Sequence, residues 1–103
     1  MLVADLHIDR RRLDDCCRRF GVRRLETFGS FATGDAGAQS DLDVLVAFES
    51  GAGSGLDFVA LTQELESLVG RRVDLLTRDS VERSPNKYFR RFALRRTELL
   101  YES

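Results

Sequence analysis

The chain has 103 residues, a formal net charge of −1, 43% hydrophobic and 32% charged residues, a balance typical of soluble globular proteins, and its length predicts one domain over 1–103. No apolar run reaches the roughly 18 residues of a membrane span, and Met1–Asp5 lacks the charged start and apolar core of a secretory signal. Cys16 and Cys17 are adjacent and cannot staple distant segments, and with His7 as the lone histidine they make no zinc constellation, so a reducing cytoplasm is the expected location.

Leu13, Cys16, Cys17 and Phe20 recur at helical spacing and predict a helix over Asp9–Phe20, stopped by Gly21. The cysteines on that stripe read as packing residues. Val22–Phe28 is predicted to be a strand, and Gly29-Ser30 turns the chain. Phe31–Asp35 reads as a short helix or a tight loop, followed by irregular chain at Gly34, Gly37 and Ser40. Leu42–Phe48 (LDVLVAF) has the apolar, Val-rich character of a strand buried on both faces. After the glycine-rich loop 51–55, Leu56–Val69 is predicted to be a helix with Gly70 as its stop, and Arg72–Thr77 a third strand. Ser84-Pro85 reads as an N-cap and first turn, with a basic helix running on to about Tyr101 behind an apolar stripe of Phe89, Phe92, Ala93 and Leu100. The order predicts an α/β fold: a three- to four-stranded mixed sheet flanked by helices.

Charge is unevenly spread. Residues 1–24 carry seven Arg against four Asp, residues 25–82 eleven acids against three Arg, and residues 83–97 five Arg and one Lys without an acid. Such runs read either as solvated helix faces or as an acidic metal site between basic ends that face phosphate or an acidic partner.

The acidic middle holds the chemistry. Glycine lets the backbone turn sharply beside a bulky anion, and a hydroxyl such as that of Ser30 can donate to a phosphate oxygen. A helix starting there would add free N–H groups. Asp41 and Asp43 are two apart, so in extended chain they point the same way. They read as solvated residues at a strand entrance or as oxygen ligands of a hard dication such as Mg²⁺. Asp74 interrupts the apolar Val73-Asp74-Leu75-Leu76; it reads as a carboxylate in a buried strand that needs a partner such as a metal, or as a strand-edge residue paired to Arg71, Arg72 or Arg78. Three carboxylates suit a two-metal centre for phosphoryl chemistry.

Gly29-Ser30-Phe31-Ala32-Thr33-Gly34-Asp35, then Ser40-Asp41-Leu42-Asp43-Val44-Leu45-Val46, resembles the nucleotidyltransferase motif of the DNA polymerase beta superfamily. Arg72-Val73-Asp74-Leu75-Leu76 resembles the strand bearing its third carboxylate, and the whole chain resembles the minimal nucleotidyltransferases (MNT). The resemblance implies a polymerase beta-like domain in which Gly29 and Ser30 hold a nucleoside triphosphate. Asp41, Asp43 and Asp74 would bind Mg²⁺, two ions in all, and carry catalysis. It also implies an antitoxin of a type VII-like toxin–antitoxin pair that transfers AMP from ATP to a tyrosine hydroxyl of a HEPN-domain ribonuclease toxin. The large acceptor would supply what a chain of this size has no room for. Thr33 departs from the family's frequent Gly-Ser-x-Ala-Arg-Gly, which puts efficiency in question more than metal binding.

The alternative expectation is an antitoxin of weak catalysis that masks its toxin through the basic C-terminal helix. Transfer to RNA or to a small molecule ranks lower, because no RNA-binding pattern accompanies the arginines and no lobe is left for a small acceptor. No membrane association is expected, and His7, Tyr88 and Tyr101 read as surface, packing or contact residues.

Overall fold

The computed structural model describes Met1–Ser103. A short 3₁₀ turn at Val3–Asp5 precedes helix α1 (Arg10–Arg19), which begins where the Asp9 carboxylate accepts from the Arg12 N–H. Strand β1 (Val22–Phe28), the single-turn helix α2 (Ser30–Thr33) and strand β2 (Leu42–Phe48) follow. Helix α3 (Gly55–Val69) ends on Gly70, whose left-handed conformation (φ 71°) lets its N–H close back on the Glu66 carbonyl. Strand β3 (Val73–Thr77), helices α4 (Arg78–Glu82) and α5 (Lys87–Leu94), and strand β4 (Glu98–Glu102) complete the chain.

The four strands form one mixed sheet in the order β3-β2-β1-β4. β1 pairs antiparallel with both β2 and β4, while β2 and β3 run parallel, joined through α3. Side chains alternate between the two faces. One face carries Leu25, Leu42, Val44, Val46, Val73 and Leu75, and it packs on Leu13, Cys16 and Cys17 of α1 and Leu61 and Leu65 of α3. Each fully buried leucine there contributes roughly 2 kcal/mol. The other face carries Phe28 and Leu45 against Val81 of α4 and Ala93 of α5. Cys16 and Cys17 are free and buried, as their place on the apolar stripe predicted, and burial pushes the Cys17 thiol up to about 12.

The expected α/β class and mixed sheet hold, with four strands, and β1 and β2 have the predicted bounds. The C-terminal third differs. The long basic helix is not formed: α5 stops at Leu94, and Leu100 and Tyr101 lie in β4 within the main core. The cap is Asn86, whose side chain accepts from the Tyr88 and Phe89 N–H groups, rather than Ser84. Phe92, placed on the apolar stripe by helical spacing, is exposed, while Phe89 and Ala93 do pack against the sheet. The free edge of β1 explains the difference, since pairing there satisfies the backbone of Glu98–Glu102 and buries Leu100 and Tyr101 at once.

Candidate active site

β1 leads into a turn at Gly29, which has φ 69° and ψ −143°, a backbone region essentially open only to glycine. A Cβ there would fall 2.6 Å from Asp43 Oδ2. The turn therefore needs glycine twice: for its dihedral angles and because the Asp43 carboxylate occupies the space beside it. Phe28 and Asp43 are register partners across β1 and β2. The Thr27 hydroxyl, fully buried, donates to the Asp43 carbonyl at 2.7 Å and fixes the start of β2 against the turn.

Ser30 opens α2. Its carbonyl accepts from the Gly34 and Ala36 N–H groups, so the turn closes on itself and leaves Ser30 half-buried at the surface of the site. With a single turn, α2 has little macrodipole, so an anion here would be held by local donors rather than by the helix as a whole. Thr33 is exposed, and its hydroxyl donates to Asp35 at 3.0 Å.

Parallel pairing puts Asp43 directly beside Asp74, with Leu42 beside Val73 and Val44 beside Leu75. Asp43 and Asp74 thus stand together on the sheet face that carries Leu45 and Phe28, and Asp41 lies just ahead of β2. Burial, then the charges of Asp74 and Asp41, push the Asp43 carboxyl from its ordinary 3.8 up to about 6. The molecule's ion pairs use other acids, so all three carboxylates lack a cation within the chain. They adjoin without closing into a cage of three ligands. As a donor set they fit a hard divalent cation: all oxygen, mutually repelling and unneutralised.

Two expectations about Asp74 change. It is exposed rather than buried, on the face of β3 opposite to Val73 and Leu75, which lie in the core, and none of the nearby arginines pairs with it. Arg71 turns to the carbonyls of Gly37 and Ser40, and Arg78 turns to Glu26 and Glu82. The buried strand carboxylate is instead Glu26 of β1, held by Arg78 at 2.5 Å and by the Thr97 hydroxyl at 2.7 Å. A charged residue between Leu25 and Thr27 was the sequence signal for it.

The sequence profile of the family described as "Nucleotidyltransferase domain" matches residues 10–100. The protein adenylyltransferase MntA of Thermococcus cleftensis is 47% identical over 64 residues, 62% of this chain and 64% of the relative. The chain thus spans less than two thirds of that relative's length. Among solved structures, a minimal nucleotidyltransferase candidate superposes with a TM-score of 0.69 at 39% identity, covering 95% of both chains. A tri-AMPylated Shewanella oneidensis HEPN toxin in complex with MNT antitoxin gives a TM-score of 0.58 at 18% identity over 91% of this chain and 70% of that one, a likeness of fold. No helix is long and apolar enough to cross a membrane.

Proposed function

The chain belongs to the nucleotidyltransferase domain family, and from that membership we propose that residues 1–103 act as one cytoplasmic domain that transfers AMP from ATP to a tyrosine hydroxyl of a HEPN-domain toxin. The observation that carries this reading is the pairing of Asp43 with Asp74 on one sheet face, beside the Gly29 turn and without any cation of the chain to neutralise them. The Thermococcus relative, a protein adenylyltransferase, and the HEPN toxin of the Shewanella complex support the acceptor class.

In this reading the Gly29 backbone lets the triphosphate approach, and the Ser30 hydroxyl donates to one of its oxygens. Asp41, Asp43 and Asp74 would hold Mg²⁺, two ions. When bound, the ions neutralise charge on the triphosphate and lower the pKa of the attacking hydroxyl. The tyrosine oxygen bonds to the α-phosphorus as the bond from that phosphorus to the pyrophosphate oxygen breaks. Pyrophosphate leaves, and the hydroxyl proton passes to Asp74. Asp74 suits that role because it is exposed on the edge strand, where an acceptor on a large partner reaches it. Catalysis is then mainly positioning and charge neutralisation.

A second reading has its own observation. Tyr88, Phe92 and Leu99 are exposed on and just after α5, beside Lys87, Arg90, Arg91, Arg95 and Arg96, a basic and aromatic surface suited to masking a partner. Co-expression with the toxin separates the two. Under transfer, Asp41→Ala with Asp43→Ala abolishes protection while binding persists. Under masking, that variant protects and Phe92→Ala with Arg91→Ala does not.

A further inference from the structure

Arg71 touches two of the site's segments with its side chain and is rooted in the third. It follows Gly70, the end of α3, and leads into β3 three residues before Asp74. Its guanidinium lies 4.8 Å from the centre of the Phe31 ring, which is fully buried and adjoins Ser30 in α2. Its Nη1 donates to the Ser40 carbonyl at 2.9 Å and to the Gly37 carbonyl at 3.4 Å. The loop it grips is itself closed, with the Ser40 N–H on the Gly37 carbonyl and the Gly37 N–H on the Ser40 hydroxyl. Directly after it, the Leu42 N–H donates to the Arg72 carbonyl at 2.9 Å and starts the pairing of β2 with β3.

We propose that Arg71 is a positioning residue for nucleotidyl transfer, a clamp that fixes the Gly29-Ser30 turn and the Asp41 loop against the strand of Asp74. The inference rests on the function proposed above. Its physical basis is the planarity of the peptide unit: holding the Ser40 carbonyl holds the unit before Asp41, the Leu42 N–H on the Arg72 carbonyl holds the unit after it, and the two together set the direction in which the Asp41 side chain leaves the backbone. Stacking on Phe31 sets the other limb, because α2 cannot shift relative to the loop without breaking either contact. The Nε–H of Arg71 is buried with no partner, a cost that the stack and the two carbonyls offset. Only a planar cation can stack on a ring and donate in its own plane, so lysine does not replace it.

The test compares wild type with Arg71→Lys and Arg71→Met. Hydrogen exchange of the protein alone is expected to quicken at Gly37–Asp41 in both variants while α1 and β4 keep their protection. Mn²⁺ affinity, read by electron paramagnetic resonance without ATP, is expected to fall about tenfold, the usual scale for losing a residue that orients metal ligands. In turnover, KM for MgATP rises and KM for the toxin holds. Arg71→Lys fails to rescue. Unchanged Mn²⁺ affinity in both variants, or exchange that quickens evenly over the whole sheet, would overturn the proposal and leave Arg71 a fold residue. Wild type that binds Mn²⁺ but transfers no AMP would overturn the proposed function instead, with exchange and Mn²⁺ affinity still deciding the role of Arg71.

Discussion

The Cα of Gly29 faces the carboxylate of Asp43 so closely that a methyl group on it would meet Oδ2 at 2.6 Å. Two elements far apart in sequence, the turn after β1 and the start of β2, therefore share one small space. Gly29→Ala must find room against Asp43 and also adopt a positive φ that alanine resists. The expected cost is about 2 kcal/mol in urea unfolding. Transfer per folded molecule is expected to drop more than stability alone explains, because the displaced group is the carboxylate at the centre of the site. Near wild-type turnover in Gly29→Ala would separate the turn from the chemistry.

Asp43 makes the site sensitive to pH. Its folded pKa of about 6 lies above its ordinary 3.8, so between those values the folded state binds the proton more tightly than the unfolded chain. The stability associated with protonation is present below about pH 4 and is lost as pH rises through about 6. Asp43→Asn removes that ionisation. The variant is expected to be more stable than wild type at pH 7.5 by about 1 kcal/mol, once solvent screening of a partly exposed group is allowed for. The advantage should vanish by about pH 4. The same proton competes with a cation, so the Mg²⁺ concentration for half-maximal transfer should rise as pH falls below about 6. Equal melting temperatures for the two proteins across this range would contradict the assignment.

Glu26 is expected to matter for folding rather than chemistry. Its carboxylate joins Arg78, the first residue of α4, to Thr97, which lies between α5 and β4, and it also meets Arg24 at 3.3 Å. Truncation to alanine leaves Arg78 without its buried partner and is expected to cost about 3 kcal/mol. Glu26→Gln keeps a hydrogen-bonding group and should cost less, about 1 kcal/mol. Urea midpoints at constant slope measure both. A loss under 0.5 kcal/mol for the alanine variant, well inside that roughly 3 kcal/mol scale, would show that solvent replaces Arg78 and Thr97 freely.

Local signals located the elements that end in strong punctuation. Gly21 and Gly29 bracket β1, and Gly70 ends α3, so their bounds were readable from the chain. The Asp-x-Asp pair and the downstream aspartate were readable too, and the parallel register that sets Asp43 beside Asp74 follows from both strands being apolar at matching positions. Where the structure depends on partners remote in sequence, reading failed. Arg95-Arg96-Thr97 contains neither glycine nor proline to announce the end of α5, and β4 forms because β1 offers an open edge. Cover decided the carboxylates: Asp74 and Glu26 share one sheet face, yet Asp74 is exposed while Glu26 is buried and held by Arg78 and Thr97, residues remote in sequence. The missed helix α4 did carry a local signal, the Thr77 hydroxyl that accepts from the Ser80 N–H.

The α5 surface and the aspartates make separate demands, which lets one experiment address the central claim. A purified HEPN-domain toxin, the proposed acceptor, is incubated with ATP, Mg²⁺ and either wild type or the Asp41→Ala, Asp43→Ala variant, and its intact mass is measured. The account predicts AMP adducts on a tyrosine of the partner with wild type and none with the variant, although the variant still binds. An unmodified partner with wild type, or equal adducts with both proteins, would contradict it.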